Sequence, residues 1–119
     1  MAALGTQTLL VVDDDDDIRE LMGEILSDAG FECVPAASGD EARKLIDPAC
    51  RFALLLSDIK MPGRTDGIEL AKHFKSVCPH RPALLVSGNP DGREFPFPVL
   101  CKPLNFAQLI HTVRGLLSA

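Results

Sequence analysis

Three apolar runs in this chain end in charged residues that suit a common site. Thr8-Leu9-Leu10-Val11-Val12 leads into Asp13 and Asp14, Phe52-Ala53-Leu54-Leu55-Leu56-Ser57 into Asp58, and Val99-Leu100-Cys101 into Lys102. A fourth run, Ala83-Leu84-Leu85-Val86, ends at Ser87. Continuous apolar runs of this length, bounded by turn residues, read as buried parallel strands. Open α/β sheets place their ligands at the carboxyl ends of such strands. Two carboxylate clusters, an ammonium and a hydroxyl gathered there fit a divalent metal and a phosphoryl group. Mg2+ takes oxygen ligands in octahedral geometry, usually one or two carboxylates plus water and phosphate oxygens. Asp14 and Asp58 can supply the carboxylates, Asp13 can hold a metal-bound water, and the backbone carbonyl of Lys60 can complete the protein's share. Asp58 can also attack phosphorus, because carboxylates serve as nucleophiles in aspartyl-phosphate chemistry. Lys102 offers a compact cation to one phosphoryl oxygen, and the Ser87 hydroxyl can donate to another. Taken singly, these are an acidic helix start, a turn former and two surface residues. Their joint placement at successive strand ends is what points to chemistry.

The elements that must position them alternate along the chain. The first strand is expected over residues 7–12. A helix follows, with Ile18, Leu21, Met22, Ile25, Leu26 and Ala29 on one face. The aspartates before it suit a helix N-terminus, and Gly30 suits its end. A short second strand spans 31–35. Ser38-Gly39-Asp40-Glu41 is a capping-box pattern that predicts a helix over 39–47, closed by Pro48. The third strand covers 52–57. After a loop at 58–66, a helix turns Ile68, Ala71, Phe74 and Val77 inward, and Pro79 and Pro82 bracket its exit. The fourth strand is 83–86 and the fifth about 98–101. Asn105, with Gln108 three positions on, caps a last helix whose inner face is Phe106, Leu109, Ile110, Val113, Leu116 and Leu117. Between the fourth and fifth strands, two glycines and two prolines leave room for one helical turn at most, so that helix is short or absent. Alternating strands and helices imply a parallel sheet covered on both faces. The fold expected is α/β, a flavodoxin-like three-layer sandwich with five strands in the order 2-1-3-4-5. That order sets the first and third strands side by side and so unites Asp13, Asp14 and Asp58.

Composition narrows the function. A chain of 119 residues that is 46% apolar fits one domain over 1–119 with one core. A net charge of −5 and the absence of Trp and Tyr speak against a nucleic-acid surface. No apolar run approaches the roughly 20 residues of a membrane span, and the N-terminus lacks the basic and apolar regions of a signal peptide. Cys33, Cys50, Cys78 and Cys101 have no C-x-x-C spacing. They are expected as four reduced thiols in a cytoplasmic protein. His73, His80 and His111 give no zinc pattern. Asp13, Asp15, Asp17 and Glu24 match four calcium-ligand positions of an EF-hand loop, but Ile18 stands where Gly is needed and no helix precedes.

Leu9-Leu10-Val11-Val12-Asp13-Asp14, Leu56-Ser57-Asp58-Ile59-Lys60-Met61-Pro62-Gly63 with Asp66-Gly67, Val86-Ser87 and Cys101-Lys102-Pro103 together resemble a response-regulator receiver domain of two-component signalling. The resemblance covers residues 7–118. It implies that Asp58 accepts phosphate from a phosphohistidine on a histidine kinase or histidine phosphotransfer protein. It also implies that Asp13 and Asp14 bind Mg2+, that Ser87 is the switch hydroxyl, and that Lys102 contacts the phosphoryl group. Such a domain promotes its own phosphorylation and loses phosphate slowly, but is not a turnover enzyme. Lys60 and Asn89 stand two residues beyond Asp58 and Ser87, near the expected path of attacking water, and are expected to tune phosphate lifetime. The chain departs from the common pattern in four places. The loop Gly63-Arg64-Thr65-Asp66-Gly67 is one residue longer, Gly88 follows the switch hydroxyl where Ala is usual, and Val99 holds the switch position that is usually aromatic. The fourth departure is the shortened helix. The Ser-Gly loop and the Phe-Pro-Val-Leu-Cys-Lys-Pro stretch look like receivers attached to hybrid histidine kinases, and no output domain is expected in the chain. The alternative reading is a receiver-like binding module that signals without phosphate.

Overall fold

Three of the five strands leave almost no side chain to water, and this dictates a sheet covered on both sides. In a computed structural model describing residues 7–47, 50–88 and 96–118, the strands are β1 (Thr8–Val12), β2 (Glu32–Ala36), β3 (Leu54–Asp58), β4 (Ala83–Ser87) and β5 (Val99–Cys101). The helices are α1 (Asp16–Asp28), α2 (Gly39–Ile46), α3 (Gly67–Val77) and α4 (Phe106–Ser118). Every residue of β3 and β4 is buried, as are four of the five in β1. The two outer strands are only partly covered. All pairings are parallel, and the order is β2-β1-β3-β4-β5. This is the flavodoxin-like arrangement expected from the sequence.

The pleat splits the core into two layers. Leu10, Val12, Leu55 and Leu85 pack with Ala42 and Ile46 of α2 and with Leu70, Ala71 and Phe74 of α3. Leu9, Val11, Leu54, Leu56, Leu84 and Val86 pack with Met22 and Leu26 of α1 and with Leu109 and Val113 of α4. Each helix starts on a side-chain cap. Asp15 accepts from the N–H groups of Asp17 and Ile18, and Ser38 Oγ from Glu41 at 3.1 Å. Asp66 accepts from Glu69, and Asn105 from Gln108. Among the described residues, no helix is long and apolar enough to cross a membrane.

The structure differs from expectation in several details. β3 begins two residues later than expected and takes in Asp58 itself. In α3 the buried residues include Leu70, while Ile68 and Val77 are only partly covered. Phe106 does not face the core; it is 42% exposed, on the first turn of α4. Cys50 and Cys78 are not free thiols but are joined in a disulfide. Disulfide formation depends on Cα separation, here 5.5 Å, and not on sequence spacing. Cys33 and Cys101 remain free. The expected short helix between the fourth and fifth strands, and Asn89 with it, lie outside the described residues.

Candidate functional site

The carboxyl ends of β1, β3, β4 and β5 converge on one acidic pocket. The parallel register of β1 and β3 sets Val12 opposite Ser57, so Asp13 and Asp58 follow side by side. The Asp13 N–H donates to the Ala36 carbonyl at 3.2 Å, the Ile59 N–H to Val86 at 3.0 Å, and the Lys102 N–H to Ser87 at 2.9 Å. These bonds tie Asp13, the residue after Asp58, and Lys102 to the strand beside each. Asp13 is fully buried, Asp58 and Ser87 nearly so, while Asp14 is exposed at the mouth. One carboxylate oxygen from each of Asp13, Asp14 and Asp58 can be chosen so that all three lie within 4.8 Å of one another. Lys102 Nζ donates to Asp58 Oδ2 at 3.1 Å and stands 3.6 Å from Asp13 Oδ2, beyond hydrogen-bond range. The Lys102–Pro103 peptide is cis.

Electrostatics in the pocket are unbalanced. Asp13 Oδ1 accepts from the Asp15 N–H at 2.9 Å, but Asp13 Oδ2 is buried without a hydrogen-bond partner. Burial raises the Asp13 carboxyl above its ordinary pKa, and the Asp58 charge adds to this against the pull of the Asp15 N–H and Lys102. Burial alone would lower the Lys102 ammonium, but Asp58 and Asp13 outweigh it and hold its pKa above the ordinary value. A buried acceptor without a donor is costly, and a cation bound between the carboxylates would satisfy it. The residues present therefore fit a hard divalent ion, with Asp13, Asp14 and Asp58 as the oxygen donors. The EF-hand alternative does not fit. Asp15 is spent on capping α1, and Asp17 and Glu24 lie within that helix, not in a calcium loop.

Several supporting residues carried little signal in the sequence. Arg19 donates to the Asp13 carbonyl at 2.9 Å and pairs with Asp16 at 2.6 Å, fastening α1 to the end of β1. Thr65 is 4% exposed, and its hydroxyl donates to Asp40 Oδ1 at 2.8 Å. At Gly39 an added Cβ would lie 2.1 Å from the Thr65 carbonyl oxygen, and at Gly67 it would lie 2.1 Å from the Asp58 carbonyl oxygen. Both approaches are open only to glycine. The Gly67 N–H also donates to Ile59 at 2.8 Å, so the loop after β3 is packed directly against the chain that carries Asp58. Lys60 is exposed beside this pocket. Val99 starts β5 and packs against the α2–α3 layer of the core.

A family model described as the response regulator receiver domain matches residues 9–95. The chain belongs to this family. It is similar to the response regulator receiver protein CpdR of Brucella abortus, with 31% identity covering 93% of this chain and 97% of that protein. Among solved structures, a response regulator receiver protein from Sinorhizobium medicae superposes with a TM-score of 0.88 at 27% identity, covering 98% of both chains. The receiver domain of the hybrid histidine kinase CckA matches at 32% identity and a TM-score of 0.81, over 92% of this receiver and 98% of that one. Longer transcriptional regulators also match, and this chain covers between 17% and 40% of the length of several. The receiver is thus a signalling module of the two-component type, and its likeness to a hybrid-kinase receiver agrees with the resemblance of its Ser-Gly loop and its Cys-Lys-Pro stretch.

Proposed function

We propose that this receiver takes a phosphoryl group from a phosphohistidine onto Asp58 with the help of Mg2+. The observation that carries the reading is the unbalanced pocket: three carboxylates gathered at the strand ends, one with a buried oxygen that accepts no hydrogen bond, and one ammonium 3.1 Å from Asp58. Asp13, Asp14 and Asp58, with the Lys60 carbonyl, would hold the metal, which when bound offsets negative charge on the transferring group. The Asp58 carboxylate attacks phosphorus, the bond to the donor imidazole nitrogen breaks, and that nitrogen keeps the electron pair. Lys102 lies close enough to leave Asp58 and pair with a phosphoryl oxygen. Ser87, whose carbonyl accepts the Lys102 N–H, would donate its hydroxyl to another. The donor is a histidine kinase or histidine phosphotransfer protein, and the setting is the cytoplasm.

The deciding experiment is intact mass after incubation with acetyl phosphate, with and without Mg2+, on the wild type and Asp58→Asn. The expected result is one added phosphoryl group, dependent on Mg2+ and absent from the variant. No gain with acetyl phosphate or with a phosphohistidine donor would leave a receiver-like binding module that signals without phosphate. Lys60 and Asn89 are proposed to tune how long the phosphate lasts, since each stands two residues beyond a pocket residue. Lys60→Ala and Asn89→Ala should change the half-life of the phosphorylated form, and unchanged half-lives in both would remove that role.

A further inference from the structure

We propose that Cys50 and Cys78 form a thiol–disulfide exchange site, opened at Cys50 by a low-molecular-weight thiol, that sets the stability of the β3–α3 unit. The two sulfurs are bonded across 28 residues of sequence. Their surroundings are unequal: Cys50 is exposed, whereas Cys78 is 2% exposed. An incoming thiolate therefore reaches Cys50 Sγ. The disulfide lies in an open cavity of about 340 Å³ lined by Cys50, Val77, Cys78, Pro79, His80 and Arg81. None of these lining residues is acidic. The Lys75 ammonium is held beside it by the carbonyls of Pro79 and Arg81, at 3.2 and 2.9 Å. A cationic rim favours thiolates over thiols and draws in thiols that carry carboxylates, the glutathione class. The exchange balances without a further reagent. The incoming thiolate bonds to Cys50 Sγ, the Cys50–Cys78 bond breaks, and Cys78 leaves as a thiolate that takes up a proton. A second thiol then releases Cys50 and forms the small-molecule disulfide.

The bond closes a loop that contains all of β3 and α3. Asp58 stands at the far end of β3 from Cys50, and α3 begins at Gly67 against the Asp58 carbonyl. The tether therefore ties the outer ends of the unit whose inner ends meet at the pocket. Closing such a loop removes freedom from the unfolded chain and not from the pocket, so its effect falls on stability.

The test uses the intact protein equilibrated in glutathione at graded thiol-to-disulfide ratios, quenched in acid, denatured and alkylated with a maleimide. Cys33 and Cys101 are free in either state, so two maleimides are expected at the oxidising end and four at the reducing end. Peptide mapping should place the change on Cys50 and Cys78. Cys78→Ala should trap a mixed disulfide with glutathione on Cys50, while Cys50→Ala should leave Cys78 unmodified in the folded protein. Tm should fall on the order of 10 °C on reduction, and in Cys50→Ala it should not respond to the ratio. Four maleimides at every ratio would overturn the site because no bond forms. Two at every ratio would overturn it because the bond does not exchange. A Tm that ignores the redox state would overturn the stabilising role.

Discussion

Asp13 is the pocket residue whose hydrogen bonding is least satisfied. Its Oδ2 is buried without a hydrogen-bond partner, and its carboxyl is held above the ordinary pKa mainly by burial. A raised folded pKa has a definite sign. The folded chain binds this proton more tightly than the unfolded chain does, so the contribution is fully present below the ordinary value of 3.8. It is lost as pH rises through the raised folded value. At neutral pH the ionised Asp13 therefore weighs against the metal-free fold. Asp13→Asn keeps an oxygen for the Asp15 N–H and removes the charge, so the variant should melt above the wild type in chelator at pH 7. The gap should close as pH falls toward 3.8. Melting curves across that range, without metal, check this. A gap that stays constant with pH would assign the difference to packing, not to ionisation.

At the scale of elements, the strand that carries Asp58 is held in place by a loop with no room for a side chain. Gly67 opens α3 against the Asp58 carbonyl, and Gly39 opens α2 against Thr65. Gly67→Ala puts a methyl group against backbone, which cannot swing aside as a flexible side chain could. We expect a loss of about 1–3 kcal/mol in denaturant unfolding, the usual cost of overpacking, together with slower acetyl phosphate labelling. Wild-type labelling in the variant would show that Asp58 does not depend on this contact. The strands themselves were legible in the sequence because β1, β3 and β4 lie in the sheet interior, where an apolar run has no other reading. The caps at Ser38 and Asn105 were legible because their chemistry is local. Three features were not: the Thr65–Asp40 bond, the glycine approaches and the Cys50–Cys78 bond. Each joins residues from different elements, and the distances that create them exist only once the sheet order is set. Phe106 misled for a related reason. Its helical phase is that of the inner face, but it sits on the first turn of α4, where it lines an open cavity of about 270 Å³ with Leu21 of α1.

Taken as a whole, the molecule carries a net charge of −5 and, among the described residues, gathers Asp13, Asp14 and Asp58 at one end of its sheet around the Lys102 ammonium. The convergence was legible because the order 2-1-3-4-5 makes β1 and β3 neighbours, and the carboxylates that end both apolar runs are the chemical reason to prefer that order. The energetic imbalance was not, because it depends on Asp13 being fully buried while Asp14 is exposed. A divalent cation that binds the folded pocket and not the unfolded chain must shift the folding equilibrium. At one hundred times its dissociation constant the shift is about 2.7 kcal/mol, or roughly 10 °C in Tm for a chain of this size. Non-specific screening of the acidic surface also stabilises, but it follows ionic strength and is weak for exposed charges. Mg2+ should therefore raise Tm well beyond NaCl at matched ionic strength. Asp14→Asn should abolish most of that excess while melting slightly above the wild type in chelator, because it relieves carboxylate repulsion. Equal shifts with Mg2+ and NaCl, or an undiminished Mg2+ shift in Asp14→Asn, would mean that the acidic cluster is not the metal site. The catalytic assignment of Asp58 would then have to stand on Lys102 alone.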